Sequence, residues 1–274
     1  MLPVIELFKS IQGEGKYTGY PSVFIRVTGC NLRCVFNGSL CDTPYTSHKP
    51  EKAKYNLSDA EAFVKENTGI QHIVITGGEP LLYQSGINTL IGKIFAIYEE
   101  YNRQHKTVLQ PVITIETNGS LPIDFENHPN LKKVTLWSIS PKLSSSVPTE
   151  KDGVSKELIA RHKTERYSRD IFLKNIKGIS AASAGIQLKF VYTGIGCVDE
   201  IKKDYVHPIY ESCGTDKTRK QPYLPQFNVL LMPEGTSQPK LHKNTDEIIT
   251  VCQNEEWVYC TRLHVTLFGD ERNR

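Results

Sequence analysis

Ser22-Val23-Phe24-Ile25-Arg26-Val27-Thr28-Gly29-Cys30-Asn31-Leu32-Arg33-Cys34 runs from an alternating, β-branched stretch into a loop that opens on two thiols. Cys41 follows in the same loop. A strand that delivers metal-ligating residues at its C-terminal end is the arrangement of a parallel α/β fold, where ligands gather at strand ends. Three thiols on one short loop can converge on one metal centre. Structural zinc is normally closed by four protein ligands, and ordinary iron–sulfur clusters also take four thiolates. Three thiolates therefore leave one metal position for another ligand.

The same strand-then-polar-turn pattern recurs downstream. Thr76-Gly77-Gly78-Glu79-Pro80 ends a strand predicted from His72 to Thr76, and Glu116-Thr117-Asn118-Gly119 ends one from Val112 to Glu116. Ser138-Ile139-Ser140-Pro141-Lys142 ends a strand from Lys133 to Ser138. Further strands are expected at Gln187–Val191, Asn228–Met232 and Trp257–Thr261. Helices are expected from a capping box at Ser58–Glu61 to about Glu66, and at Ile87–Gln104, Val198–Tyr210 and Asn244–Gln253. Such alternation predicts a parallel sheet covered by helices. In a parallel barrel, four polar strand ends would surround one cavity. The polar segments at 144–156 and 213–226 read as loops or insertions rather than an interdomain linker, so residues 1–274 are expected to form one domain.

Composition narrows the function classes. Of the 274 residues, 39% are hydrophobic and 23% charged, ordinary for a globular protein, and the net charge of +3 comes with no basic stripe that predicts nucleic-acid binding. The N-terminus carries Glu6 inside its apolar run and lacks the pattern of a signal peptide. No apolar stretch is long enough to cross a bilayer, so no membrane association and a cytoplasmic location are expected. Seven cysteines, an odd number, do not form a disulfide framework. Cys252 and Cys260 read as small buried hydrophobes, whereas Cys197 and Cys213 flank a polar stretch and are expected to be exposed.

The cysteine loop has two readings. One is a structural zinc knuckle, a non-catalytic module, with His48 as fourth ligand. The other is a 4Fe-4S cluster with one iron free to bind the amino and carboxylate groups of S-adenosyl-L-methionine. The turn at Gly77-Gly78 favours the second, because paired glycines let a ligand approach the backbone closely. It resembles the motif with which radical S-adenosylmethionine enzymes hold the amino group of that cofactor.

The resemblance becomes specific at Phe8-Lys9-Ser10-Ile11-Gln12-Gly13-Glu14-Gly15, Gly19 and Phe24 to Cys34, continued by Cys41-Asp42-Thr43. Together with Gly77–Pro80 and Glu116–Gly119, these stretches resemble the signature of the 7-carboxy-7-deazaguanine synthase family. Weaker echoes are Ser140-Pro141-Lys142, Met232-Pro233-Glu234-Gly235 and Arg262-Leu263-His264. The resemblance implies a partial (β/α) barrel and ring contraction of 6-carboxy-5,6,7,8-tetrahydropterin, with loss of ammonia, in queuosine and 7-deazapurine biosynthesis. It implies a 4Fe-4S cluster on Cys30, Cys34 and Cys41, and Mg²⁺ at Thr43. Thr76, Gly77, Gly78, Glu79, Thr117, Asn118, Ser138, Ser140 and Lys142 become candidates for binding S-adenosylmethionine. It further implies an external electron donor of the flavodoxin or ferredoxin type, and a homodimer.

A flat pterin with a carboxylate needs edge donors and acceptors plus a counter-charge. Gln12 offers a donor and an acceptor, Glu14 can accept from the guanidine-like edge, and Arg26 can pair the carboxylate. Gly15 belongs to the same substrate-binding turn. The bland alternative is a glycine-rich surface turn with Arg26 merely pairing an acid. His264, between apolar neighbours, reads as a satisfied interior histidine, and the resemblance adds a substrate-pocket role.

The loop departs from the usual Cys-x3-Cys-x2-Cys spacing, since six residues separate Cys34 from Cys41. Asn37-Gly38-Ser39 predicts a turn that loops out the extra residues and keeps Cys41 as third ligand. A glycyl-radical activase would use the same cofactor, but gives no reason for Gln12, Glu14 and Arg26 to precede the cysteines.

Overall fold

The computed structural model describes residues 1–213, 227–269 and 271–273. Ten strands are present among them: β1 (Val4–Ile11), β2 (Pro21–Val27), β3 (Val35–Phe36), β4 (Ser39–Leu40), β5 (His72–Gly77), β6 (Val112–Thr117), β7 (Leu136–Ile139), β8 (Gly185–Tyr192), β9 (Phe227–Pro233) and β10 (Val258–Tyr259). Eight of them form one sheet in the order β1-β2-β5-β6-β7-β8-β9-β10, while β3 and β4 make a separate hairpin. β1 runs antiparallel to β2, and every other pair in the large sheet is parallel. The fold is mixed α/β.

Helices α1 (Leu57–Glu66), α2 (Gln84–His105), α3 (Lys156–Glu165), α4 (Arg169–Ala181), α5 (Gly196–Glu200), α6 (His207–Cys213), α7 (Gln238–His242), α8 (Thr245–Glu255) and α9 (Leu263–Phe268) fill the connections. A π-helical turn at Ile201–Val206 joins α5 to α6. Among the described residues, no helix is long and apolar enough to cross a membrane.

The strands alternate, and this organises the molecule. Ile73 and Ile75, Ile113 and Ile115, Trp137 and Ile139, and Ile186, Leu188 and Phe190 all belong to one buried core. Against it pack Ile87, Leu90, Ile91 and Ile94 of α2, Phe172, Ile176 and Ile179 of α4, and Ile248 and Val251 of α8. A parallel sheet covered on both faces reads as continuous apolar runs. Here several of the intervening residues are polar, although Val74, Leu230 and Met232 are not, and the register aligns the polar ones. Glu6 pairs with Arg26, Arg26 with Thr76, Glu116 with Ser138, Ser138 with Gln187, and Gln187 with Asn228. One face of the sheet is thus apolar and helix-covered, and the other carries a polar row.

Several expected boundaries moved. β1 was not anticipated, nor were the strongly polar α3 and the amphipathic α4. The segment at 144–156 is two short 3-10 turns leading into α3, and the one at 213–226 lies outside the described residues beyond its first position. A 3-10 turn at Pro129–Lys133 delays β7 to Leu136, and the last strand is only Val258–Tyr259. α1 is opened by Asn56, not Ser58: the Asn56 side chain accepts from Ser58 N at 2.7 Å and Asp59 N at 3.3 Å, and Asp59 reaches back to Asn56 N at 2.7 Å. Asn56→Ala should therefore destabilise the protein by about 1 kcal/mol and lower Tm by a few degrees. Ser58→Ala should stay within about 0.5 kcal/mol of wild type in the same melts.

Candidate active site

Gly29, at φ +89°, turns the chain out of β2 into the cysteine loop. Asn37 at φ 46° and Gly38 at φ 81° form the two-residue turn between β3 and β4, a conformation that favours Asn-Gly. The hairpin returns the chain to its start, and Cys41 N donates to Cys34 O at 3.0 Å. The widened gap therefore closes as the sequence implied, by looping out. Cys30, Cys34 and Cys41 all line one cavity of about 600 Å³, and none is in a disulfide.

These thiols are a fitting donor set for a cluster. Burial pushes the Cys30 thiol up to about 12, and raises Cys34 and Cys41 as well, so their thiolates call for a compensating cation. The Cys3His zinc reading meets a direct obstacle. His48 Nε2 donates to Cys34 O at 3.0 Å, and His48 is not on the cavity wall. Among the described residues, no three Cys, His, Asp or Glu side chains converge to hold a single metal ion. Cys252 and Cys260 are buried as expected. Cys197, expected to be exposed, is buried in the core beneath α5, and the side chain of Cys213 lies outside what is described.

The loops around the thiols are braced against each other. A Cβ on Gly78 would collide with Gly29 O, and one on Gly77 with Val27 O, so these glycines permit the turn after β5 to pack on the cysteine loop. Glu79, with 0% exposure, accepts from Leu81 N at 2.8 Å, Thr117 Oγ1 at 2.6 Å and Asn118 N at 2.7 Å. Asn118 Nδ2 donates to Asn31 Oδ1 at 3.0 Å, and Asn31 Nδ2 to Ser120 Oγ at 2.9 Å. His162 of α3, fully buried, accepts from Arg33 N at 3.0 Å.

Almost every residue singled out from the sequence lies on this one wall. Gln12, Glu14, Arg26, Thr43 and His264 line it, as do Thr76, Gly77, Gly78, Thr117, Asn118, Ser138, Ser140 and Lys142. Gly15 and Glu79 do not. Gly15, at φ +73°, packs on Gln187 and donates its N–H to Cys260 Sγ at 3.2 Å. The polar groups of both hold neighbouring segments.

Charge on the wall is paired. Arg26 Nε binds Glu6 Oε2 at 2.7 Å, and Glu6 also binds Arg272. Glu14 is held by Lys189 at one oxygen and by Arg262 Nε at 3.1 Å on the other, with His264 Nε2 at 3.9 Å. Burial alone would raise the Glu14 pKa, but Lys189, Arg262 and His264 outweigh it and hold the carboxyl well below its usual range. Arg262 also binds Asp42 and, at 2.5 Å, Gly235 O. Glu116 takes Gln12 Nε2 at 3.2 Å and Thr76 Oγ1 at 2.8 Å. Lys189 and Glu116 had a readable signal: each is the charged inward position of an otherwise apolar alternating strand. Arg262 stood in the weak motif before His264, whose segment is helix α9 rather than an alternating stretch.

Residues 11–116 match a 4Fe-4S single cluster domain. A protein of Halobacterium salinarum described as 7-carboxy-7-deazaguanine synthase is 35% identical, over 98% of this chain and 91% of its own length. One of Rhodopirellula baltica with the same description is 32% identical, over 99% of this chain and 88% of its own. The crystal structure of QueE from Escherichia coli shares the fold, with a TM-score of 0.53 at 20% identity, covering 96% of this chain and 94% of that one.

Beneath the cavity floor, Ser22 Oγ lies 2.6 Å from His72 Nδ1, and His72 Nε2 lies 2.9 Å from Thr114 Oγ1. Burial lowers the His72 pKa from 6.5 to about 4, with Glu116 opposing, and burial likewise takes His162 to about 4. The unfolded chain binds these protons below pH 6.5 and the folded chain only near pH 4, so stability falls as pH falls through that window. Each imidazole should contribute on the order of 3 kcal/mol to the loss. In urea melts of metal-free, reduced protein, His72→Gln should remove about half of that pH dependence; an unchanged slope would show that His72 is protonated in the fold.

Proposed function

The chain belongs to the 7-carboxy-7-deazaguanine synthase family, and from that premise we propose that it converts 6-carboxy-5,6,7,8-tetrahydropterin to 7-carboxy-7-deazaguanine with release of ammonia, in queuosine biosynthesis. The observation that carries this reading is the shared cavity. Three unpaired thiols and the polar set Gln12, Glu14 and Arg26 face the same space of about 600 Å³, a size suited to small molecules. We read the open sheet as the partial (β/α) barrel of radical S-adenosylmethionine enzymes, and the chain as one cytoplasmic domain that works as a homodimer.

Cys30, Cys34 and Cys41 would hold the 4Fe-4S cluster, which with S-adenosylmethionine supplies a carbon-centred radical able to take a hydrogen atom from the substrate. Thr76, Gly77 and Gly78 would offer backbone groups to the amino end of S-adenosylmethionine, and Thr117, Asn118, Ser138, Ser140 and Lys142 its ribose and carboxylate. Glu79 would act behind them, as the brace that sets their spacing. Thr43 would place its hydroxyl on Mg²⁺, whose remaining positions suit water and substrate oxygens.

Arg26 would pair the substrate carboxylate. Its Nε is taken by Glu6, which fixes the guanidinium while its other donors remain for a ligand. Gln12 and the ionised Glu14 would meet the guanidine-like edge of the ring. Two carboxylate oxygens offer about four acceptor sites, so the Lys189 and Arg262 contacts leave capacity for the ligand. His264 closes the wall beside Glu14. The electron that starts the cycle would come from a flavodoxin- or ferredoxin-type donor.

Anaerobic protein given S-adenosylmethionine, reductant, Mg²⁺ and the carboxytetrahydropterin should form 7-carboxy-7-deazaguanine; no product from protein with a full cluster would refute the reading. Cys41→Ala should bring iron well below the about four atoms per chain of a complete cluster and abolish S-adenosylmethionine cleavage. Cys197→Ala, remote from the cavity, should keep both.

A further inference from the structure

We propose that Lys189 is a specificity residue that reads the 4-oxo group of the pterin, working as a donor beside the acceptor Glu14. This rests on the proposed pterin chemistry and adds to it a recognition element on β8. Lys189 is 5% exposed, yet it lies on the cavity wall. Among the described residues, the only hydrogen bond of its ammonium goes to Glu14 Oε2, and Glu116 Oε1 stands 3.9 Å away. An ammonium has three donors. A buried charge with donors to spare is costly unless a further acceptor meets it. The cavity is where that acceptor can come from.

The substrate edge has the matching pattern. A 2-amino-4-oxopyrimidine presents two adjacent donors, the exocyclic amine and N3–H, followed by one acceptor, O4. The protein presents the complement in the same order, a carboxylate and then an ammonium in contact with it. Lys189 therefore has two jobs. It keeps the Glu14 carboxylate charged and pointed, and it donates to O4. Gln187 cannot replace it, since its amide is committed to Ser138 Oγ at 2.8 Å and Lys16 N at 3.0 Å. Arg262 holds the opposite oxygen of Glu14 and is itself held by Asp42 and Gly235.

This pairing rejects a ring with an amine in place of O4, because Lys189 would then face a donor and Glu14 would face the bare acceptor N3 that replaces N3–H. Such mismatches of buried polar groups discriminate strongly. The test uses reconstituted enzyme with S-adenosylmethionine, and measures inhibition of product formation by 6-carboxypterin and by 2,4-diaminopteridine-6-carboxylate. Wild type should prefer the 4-oxo compound by about tenfold or more. Lys189→Met should bind 6-carboxypterin more weakly and keep only the smaller preference that Glu14 supplies through N3–H, while iron content stays near wild type. If Lys189→Met is unstable because it strands Glu14, the charge-balanced double variant Glu14→Gln/Lys189→Met removes both contributions and should show no preference. A variant with wild-type preference overturns the assignment of Lys189, as does a wild type without one. Failure of wild type to make 7-carboxy-7-deazaguanine at all would instead overturn the function on which the assignment rests.

Discussion

A single buried carboxylate holds the site together. Glu79 has no solvent exposure and accepts from its own turn, from the Thr117 hydroxyl and from the Asn118 backbone, while its N–H donates to Gly29 O at 2.8 Å. It therefore joins the ends of β2, β5 and β6. Burial raises its pKa, and the Thr117, Asn118 and Leu81 donors act against that rise. A carboxylate in this position is tolerable only when its lone pairs are filled. The requirement works in both directions: the loops satisfy Glu79, and Glu79 sets their spacing. Gly77 and Gly78 belong to the same constraint, because any side chain there would push the turn off the cysteine loop.

The same logic extends over the polar face of the sheet. Seven strands contribute side chains to it, and charge is met by charge from several directions: Glu6 by Arg26 and Arg272, Glu14 by Lys189 and Arg262, Asp42 by Arg262. Buried ion pairs are weak contributors to stability, since desolvation takes back much of the Coulombic gain. Their value here is directional. Donors and acceptors fixed before the ligand arrives need no reorganisation during the reaction. The stability comes instead from the apolar face, where Trp137, the strand isoleucines and α2 pack without exposure. Division of labour between the two faces explains the alternation of β6, β7 and β8.

That alternation was also the most legible feature of the chain. Ile113-Thr114-Ile115-Glu116 and Ile186-Gln187-Leu188-Lys189 announce both a strand and a two-faced environment, and the polar turns after them identify the mouth of the site. Less was readable where long-range partners decide. β1 forms by pairing with β2, and its inward residues Glu6 and Phe8 look unremarkable until Arg26 and Phe24 lie beside them. The α1 cap was misplaced by two residues because Asn56 and Ser58 both cap well, and only backbone geometry chooses. α3 presents so little apolar surface that its periodicity is faint, although Ser155 caps it, whereas α4 carries a readable signal in Phe172, Ile176 and Ile179 after the cap Ser168. Gly15 and Glu79 lie off the cavity wall, and which atoms a neighbour has already engaged is not written locally.

The cysteine loop shows how a spacing can change while a geometry persists. Inserting residues into an open loop would let its ends drift, but an antiparallel hairpin brings the chain back to where it left. β3 and β4 pair Val35 with Leu40 and Phe36 with Ser39, and the next residues out, Cys34 and Cys41, are joined backbone to backbone. The added length costs little closure entropy, which grows only slowly with loop size, and the Asn-Gly turn supplies the required left-handed backbone without strain. Asn37 then reaches Glu234 at 3.5 Å, and Phe36 lies under the Lys142 ammonium, 5.9 Å from the ring centre. The insertion thus contacts both sides of the cavity rim, and the hairpin pairing brings Cys41 back beside Cys34.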